Sequence, residues 1–189
     1  MLLVNDTRTR FGLVSVVLHW YVALAVLTLL STGLVITSIG EHGALRPLRD
    51  DIAYFHMSIA MTSIPFFLFR IFWRIRSGMP ETHDLHGAMK IIAEWVWRLL
   101  LFFIVWQITW GLLVESNHWF EIVFGRIRIP QFFEEQASYL EDLHRWGAFT
   151  IGTLLLLHIG GALKHHFIDR DRLLRNMVRP VAGDGEPAH

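Results

Sequence analysis

The sequence predicts an all-α integral membrane protein, a four-helix bundle whose chain runs up-down-up-down. The 189 residues are 53% hydrophobic and 18% charged, whereas an average globular chain is ~25% charged. The apolar residues concentrate in four long runs instead of spreading evenly along the chain. The formal net charge is +0 and there is no cysteine. These values exclude disulfides, thiolate metal sites and iron–sulfur clusters, and they give no general attraction to nucleic acid.

The four apolar runs predict membrane spans at about 14–39, 52–73, 93–114 and 146–168. Crossing a ~30 Å hydrocarbon core takes roughly 20 residues of helix, and each run approaches or exceeds that length. The third run carries Glu94 and Arg98 near its start, at the i,i+4 spacing that lets opposite charges neutralise each other. We expect one domain over 1–179 and, because its composition is rich in Pro, Gly and Ala, a disordered tail over 180–189.

Lys and Arg are divided unequally between the two sides of the predicted membrane. Of the 17 basic residues, eleven lie in the N-terminal segment, around the second loop or after the last span, and four lie in the first and third loops. Basic residues are retained on the cytoplasmic side, so we predict that both termini are cytoplasmic. The aromatic-rich third loop, about 115–143, is expected to lie on the outer surface of the membrane that the helices cross.

Four histidines within the predicted spans are the main candidate functional residues, because titratable groups inside a membrane are rare. His144 and His158 are fourteen residues apart, which puts both on one helix face about 21 Å apart along the axis. Antiparallel neighbouring helices supply His56 at the depth of His144 and His19 at the depth of His158. We predict two pairs of imidazoles, one near each membrane surface.

Two pairs of imidazoles in an apolar bundle suit two haems b, each with two axial His ligands. Such ligation leaves no open coordination position, which favours electron transfer over oxygen binding. A His-rich divalent metal transporter is the alternative from another class of protein. Transporter sites usually mix His with Asp or Glu around a single ion, and the predicted spans contain almost no carboxylates.

Two further residues are candidates at the cytoplasmic end. Arg70 lies fourteen residues after His56, on the same helix face, where it pairs with a haem propionate or serves only as a cytoplasmic positive charge. His165 lies one heptad beyond His158. There it binds a propionate, a quinone head group or a lipid phosphate, or it is a solvated interfacial residue.

Three stretches resemble the bacterial cytochrome b561 family. They are RFGLVSVVLHW (10–20), YFHMSIAMTSIPFFLFRIFWR (54–74) and LHRWGAFTIGTLLLLHIGGALKHHFIDRDRLLRNM (143–177). The resemblance implies a di-haem, multi-pass protein of the bacterial inner membrane. Its inner haem would be held by His19 and His158, and its outer haem by His56 and His144. The resemblance also associates His165 with a quinone site.

The function that the resemblance implies is electron transfer between a periplasmic donor and the quinone pool, as in superoxide:ubiquinone oxidoreductases. The donor would be superoxide or a redox partner, and the acceptor ubiquinone. A variant makes the chain the cytochrome b anchor subunit of a larger dehydrogenase or hydrogenase complex. Family members commonly have a His near the start of the third helix, where this chain reads IIAEWVWRLLLF (91–102). This difference does not involve the four predicted ligands, but it leaves the identity of the electron donor open.

Overall fold

The computed structural model describes residues 4–7, 10–39, 42–78, 87–114, 119–122, 125–128, 137–170 and 173–178. The elements are, in order, α1 (Leu13–Ser38), α2 (Arg46–Ser77), α3 (Gly87–Val114), β1 (Trp119–Ile122), β2 (Gly125–Arg128), α4 (Ala137–Lys164) and α5 (Leu173–Val178). A π-helical turn, His165–Asp169, follows α4 directly. The predicted tail, 180–189, lies outside the described residues.

Helices α1 to α4 are long enough and apolar enough to cross a membrane. They contain 26, 32, 28 and 28 residues, about 39–48 Å at 1.5 Å per residue, against a ~30 Å hydrocarbon core. Large apolar side chains point outward, as with Ile75, which is 78% exposed, while the small Ser15 and Ser63 are fully buried. Apolar surfaces around small buried residues are typical of membrane bundles. The all-α prediction is confirmed.

Most of the four long helices contain more residues than the spans predicted for them, and the ends of the helices follow ordinary backbone rules. Helix α2 begins at Arg46 and has Pro47 in its first turn, where the missing proline N–H is not needed. It ends at Ser77, and the next residue, Gly78, has a left-handed φ of 68° and donates its N–H to the Arg74 carbonyl at 3.0 Å. Glycine adopts this conformation without the Cβ clash that other residues meet.

The start of α1 is held by a carboxylate from the preceding segment. Oδ1 of Asp6 accepts the Gly12 N–H at 2.7 Å, and Oδ2 accepts the Ser15 hydroxyl at 2.6 Å. Ser15 Oγ in turn accepts the indole N–H of Trp73 at 2.9 Å. Because Ser15 and Trp73 belong to α1 and α2, this network fastens the N-terminal segment to both helices.

The third connection contains a short hairpin that was not predicted from the sequence. Strands β1 and β2 pair antiparallel, with Trp119 opposite Arg128 and Ile122 opposite Gly125. Pairing satisfies backbone hydrogen bonds of a segment rich in aromatic and β-branched residues. Helix α4 begins at Ala137, so the predicted loop of about 115–143 is partly helical. Its placement on the membrane surface stays a prediction.

The chain divides into two compact units. The first unit comprises Met1–Tyr21, Leu68–Leu101 and Thr153–His189, and the second comprises Val22–Phe67 and Phe102–Gly152. Each unit is a bundle that draws one segment from each of the four long helices. In the first unit, the Trp20 indole also donates to the Met177 carbonyl at 2.8 Å, which ties α5 to α1.

Candidate functional site

The first unit brings His19 of α1 and His158 of α4 face to face. Their ring centroids are 6.1 Å apart and their planes are inclined by 56°. A metal atom between two imidazoles lies about 2 Å from each ligating nitrogen, and each nitrogen lies about 1 Å from its ring centre. The centroids of two such ligands are therefore about 6 Å apart, so the observed spacing matches one metal atom held by both rings.

Two buried guanidinium groups lie beside this pair of histidines. Arg70 and Arg74 are 8% and 5% exposed, and the charges of both act on His19. Arg70 Nη1 donates to the Ser15 carbonyl at 3.1 Å. Arg74 Nη1 donates to the Gly78 carbonyl at 2.6 Å. Asp6 is the carboxylate whose charge acts on both arginines. Two cations and one carboxylate thus give this site a positive environment.

The second unit contains both His56 of α2 and His144 of α4, and the two rings lie near enough to each other for an electrostatic interaction. The ring of His56 turns its Nδ1 towards α1, 2.7 Å from the Thr32 hydroxyl. Gly33, the next residue on α1, lies beside the ring, but a Cβ there would lie 3.6 Å from His56 Cε1, an ordinary contact, so the space does not require glycine. The imidazole therefore lies against α1 along one edge.

His144 is positioned by packing against α3. A Cβ on Gly111 would lie only 3.0 Å from His144 Cε1 and 3.3 Å from Nδ1, so the ring lies against bare backbone. Nδ1 is fully buried and makes no hydrogen bond of good geometry, although the Gln107 backbone lies near enough to interact with the ring. The Trp106 indole donates to the Leu143 carbonyl at 3.0 Å and holds α3 to α4 beside His144.

His165, the candidate one heptad beyond His158, lies in the π-helical turn. Its Nδ1 is 2.8 Å from Oδ2 of Asp169, and the same oxygen is 2.7 Å from Lys164 Nζ. Its side chain is 12% exposed. Arg170 ends the turn in a left-handed conformation, with φ of 55°. Because π turns occur often at functional sites, this geometry keeps His165 a candidate.

The predicted pair of Glu94 and Arg98 also forms, at 3.3 Å. Among the residues that the structure describes, no three or more side chains of His, Asp or Glu cluster closely enough to hold a metal ion. The described residues therefore contain no mixed-ligand site of the kind that a divalent metal transporter would need.

Comparison with known proteins decides the family. The profile of prokaryotic cytochrome b561 matches residues 10–180. The chain belongs to the prokaryotic cytochrome b561 family. It is similar to Cytochrome b561 homolog 2 of Escherichia coli (strain K12), with 27% identity over 185 residues that cover 95% of this chain and 97% of the relative. The resemblance noted from the sequence is confirmed, and membership implies a membrane cytochrome with haem b and transmembrane electron transfer.

The residues of this b561-family chain fit haem b. Both candidate sites offer imidazoles, which are standard axial ligands of haem iron. The 6.1 Å spacing of His19 and His158 accommodates one metal atom, and Gly111 lets the His144 ring lie against backbone. Arg70 adds a buried cation of the kind that pairs with a propionate carboxylate.

Several residues that shape these sites were not predicted from the sequence. Arg74 follows Arg70 at i+4, a spacing that signals a second guanidinium on the same helix face. Thr32 and Gly111 carry no such signal, because Thr and Gly are common in membrane helices. Only the rotation of each helix about its axis shows that these two residues meet His56 and His144.

Proposed function

We propose that this chain carries electrons across the bacterial inner membrane from a periplasmic donor to quinone, using two haems b. Within each unit the fold brings together one of the two predicted histidine pairs, and this observation carries the proposal. Bound haem b supplies a one-electron carrier. His19 and His158 hold the inner group, and His56 and His144 hold the outer group. Two imidazoles at each site would leave a bound haem iron no open coordination position, which would favour electron transfer over ligand binding.

The buried arginines support a direction of flow towards the inner site. Positive charge in a medium of low dielectric stabilises an added electron more strongly than it does in water. Arg70 and Arg74 supply that charge beside His19. A guanidinium has five N–H donors, so the one bond from Arg70 to Ser15 is compatible with a second partner. We assign that partner as a propionate of the inner haem.

The second role that we assign is to His165, in proton delivery to ubiquinone. Full reduction of a quinone takes two electrons and two protons, and a proton donor beside the carbonyl assists each addition. Asp169 binds Nδ1 of His165, and a carboxylate at that nitrogen fixes both the ring orientation and the proton position. Lys164 binds the same carboxylate, so Asp169 largely offsets the positive charge of Lys164.

The topology that we propose places both termini in the cytoplasm, from the bias of Lys and Arg. The outer pair then lies on the periplasmic side, accessible to superoxide or to a redox partner. Two superoxide ions, one quinone and two protons would give two oxygen molecules and one quinol, so that charge and electrons balance.

Proteoliposomes containing the purified protein and a short-chain ubiquinone test the proposal. Superoxide generated by xanthine oxidase, with catalase present, is expected to produce the α band of reduced haem b, which then decays as quinol forms. Absence of reoxidation by the quinone would contradict the proposal. Reoxidation by quinone after chemical reduction, without any reduction by superoxide, would instead assign the donor role to a redox partner.

A further inference from the structure

The Thr32 hydroxyl lies where it can determine which nitrogen of His56 carries a proton. Its Oγ1 is 2.7 Å from His56 Nδ1, 2.8 Å from the Thr28 carbonyl oxygen and 3.1 Å from the Leu29 carbonyl oxygen. Carbonyl oxygens only accept hydrogen bonds, and a hydroxyl has one proton to donate. Thr32 gives that proton to the backbone of its own helix, the usual bond for Thr inside a helix.

With its proton used in that way, Oγ1 accepts from His56, so Nδ1 carries the ring proton. In the neutral imidazole the other nitrogen, Nε2, then carries the lone pair. That is the tautomer a metal ligand needs, and a hydrogen bond from the remaining N–H commonly fixes it.

The two histidines of the second unit are therefore held in different ways. His56 is fixed by a hydrogen bond to a side chain of α1, whereas His144 is fixed mainly by packing against Gly111. We propose that Thr32 is a positioning residue that sets the tautomer and ring orientation of His56 for iron ligation. This inference rests on the proposed ligand role of His56.

A hydrogen bond from Nδ1–H to an acceptor makes the imidazole a stronger donor to the metal. A stronger donor stabilises the oxidised iron, so loss of the bond should raise the reduction potential of the outer haem. The ring would also become free to rotate about its bond to the metal. Because low-spin haem signals respond to the orientation of the axial imidazoles, the electron paramagnetic resonance spectrum reports that rotation directly.

The test compares Thr32→Val, which keeps the side-chain shape and removes the hydroxyl, with Thr32→Ser, which keeps the hydroxyl. Thr28→Val is the matched control, because the Thr28 hydroxyl donates one turn back to the Leu24 carbonyl at 2.9 Å on the same helix. Redox titration, paramagnetic resonance and transfer of haem to apomyoglobin are measured on the purified full-length proteins. His56→Ala identifies which spectral signals belong to the outer haem.

Thr32→Val is expected to raise the potential of the outer haem, shift its low-field resonance and speed its loss on the order of 10-fold. The signals of the inner haem stay unchanged. Thr32→Ser and Thr28→Val behave like the unmutated protein. Complete loss of the outer haem in Thr32→Val, with retention in Thr32→Ser, also supports the role.

Unchanged potential, resonance and haem loss in Thr32→Val would overturn the inference, as would failure of Thr32→Ser to restore them. If His56→Ala keeps both haems, the proposed ligand assignment itself fails. These two failures are distinguished because the His56 result does not depend on Thr32.

Discussion

Gly111→Ala tests how the outer site is built, because this glycine lets His144 lie against α3. The added Cβ would lie 3.0 Å from His144 Cε1, whereas unstrained carbon contacts are about 3.5–4.0 Å. Relieving that overlap requires the imidazole or the helix to move, and overpacking of this kind costs about 1–3 kcal/mol. If about 1–2 kcal/mol of that cost falls on the ligand position, haem binding at the outer site weakens roughly 5–30-fold.

The assay is the rate of haem transfer to apomyoglobin, followed separately for the two haems by their redox spectra. Gly33→Ala is the matched control, since its Cβ would meet His56 Cε1 at 3.6 Å, an ordinary contact. Both variants gain about 1 kcal/mol of helix propensity, so this contribution cancels between them. Equal rates of haem loss in Gly111→Ala and Gly33→Ala would refute the packing argument.

Two further predictions concern the proposed inner haem site and the proposed quinone site. Arg70→Leu removes a buried cation and should lower the reduction potential of the inner haem by about 40–90 mV, which corresponds to about 1–2 kcal/mol. Arg70→Lys keeps a positive charge and should recover much of this shift. Redox titration measures the potential in both variants. His165→Ala should keep both haem spectra while slowing reoxidation by a short-chain quinone at least several-fold. A stopped-flow rate equal to that of the unmutated protein would remove His165 from the proposed quinone site.

The fold could be predicted from the sequence because composition and the length of the apolar runs determine it. Four runs of membrane length leave little choice of architecture, since unsatisfied backbone groups are excluded from the hydrocarbon core. The fourteen-residue interval between His144 and His158 is read in the same way, from helix periodicity alone. The predicted depth in the membrane then pairs His144 with His56 and His158 with His19.

The residues that contact the candidate histidines could not be predicted, because helix periodicity does not show which side chains of neighbouring helices meet. Whether Thr32 faces His56, or Gly111 faces His144, depends on the rotation of each helix, which is fixed by packing along its whole length. The heptad spacing used for His165 assumed a continuing α-helix, but the helix changes to a π turn at His165 itself. The β1–β2 hairpin escaped prediction because four-residue strands leave a weak pattern in a sequence dominated by aromatic residues.

The most direct test of the central claim is the haem-to-protein ratio of paired histidine variants, measured by the pyridine haemochrome assay. The unmutated protein should hold two haems, and His19→Ala or His56→Ala should hold one each. The double variant His19→Ala/His158→Ala removes both ligands of one site, so it should still hold one haem. His19→Ala/His56→Ala removes one ligand from each site and should hold none. A ratio near one in the unmutated protein, or loss of both haems in His19→Ala/His158→Ala, would contradict the proposed pairing.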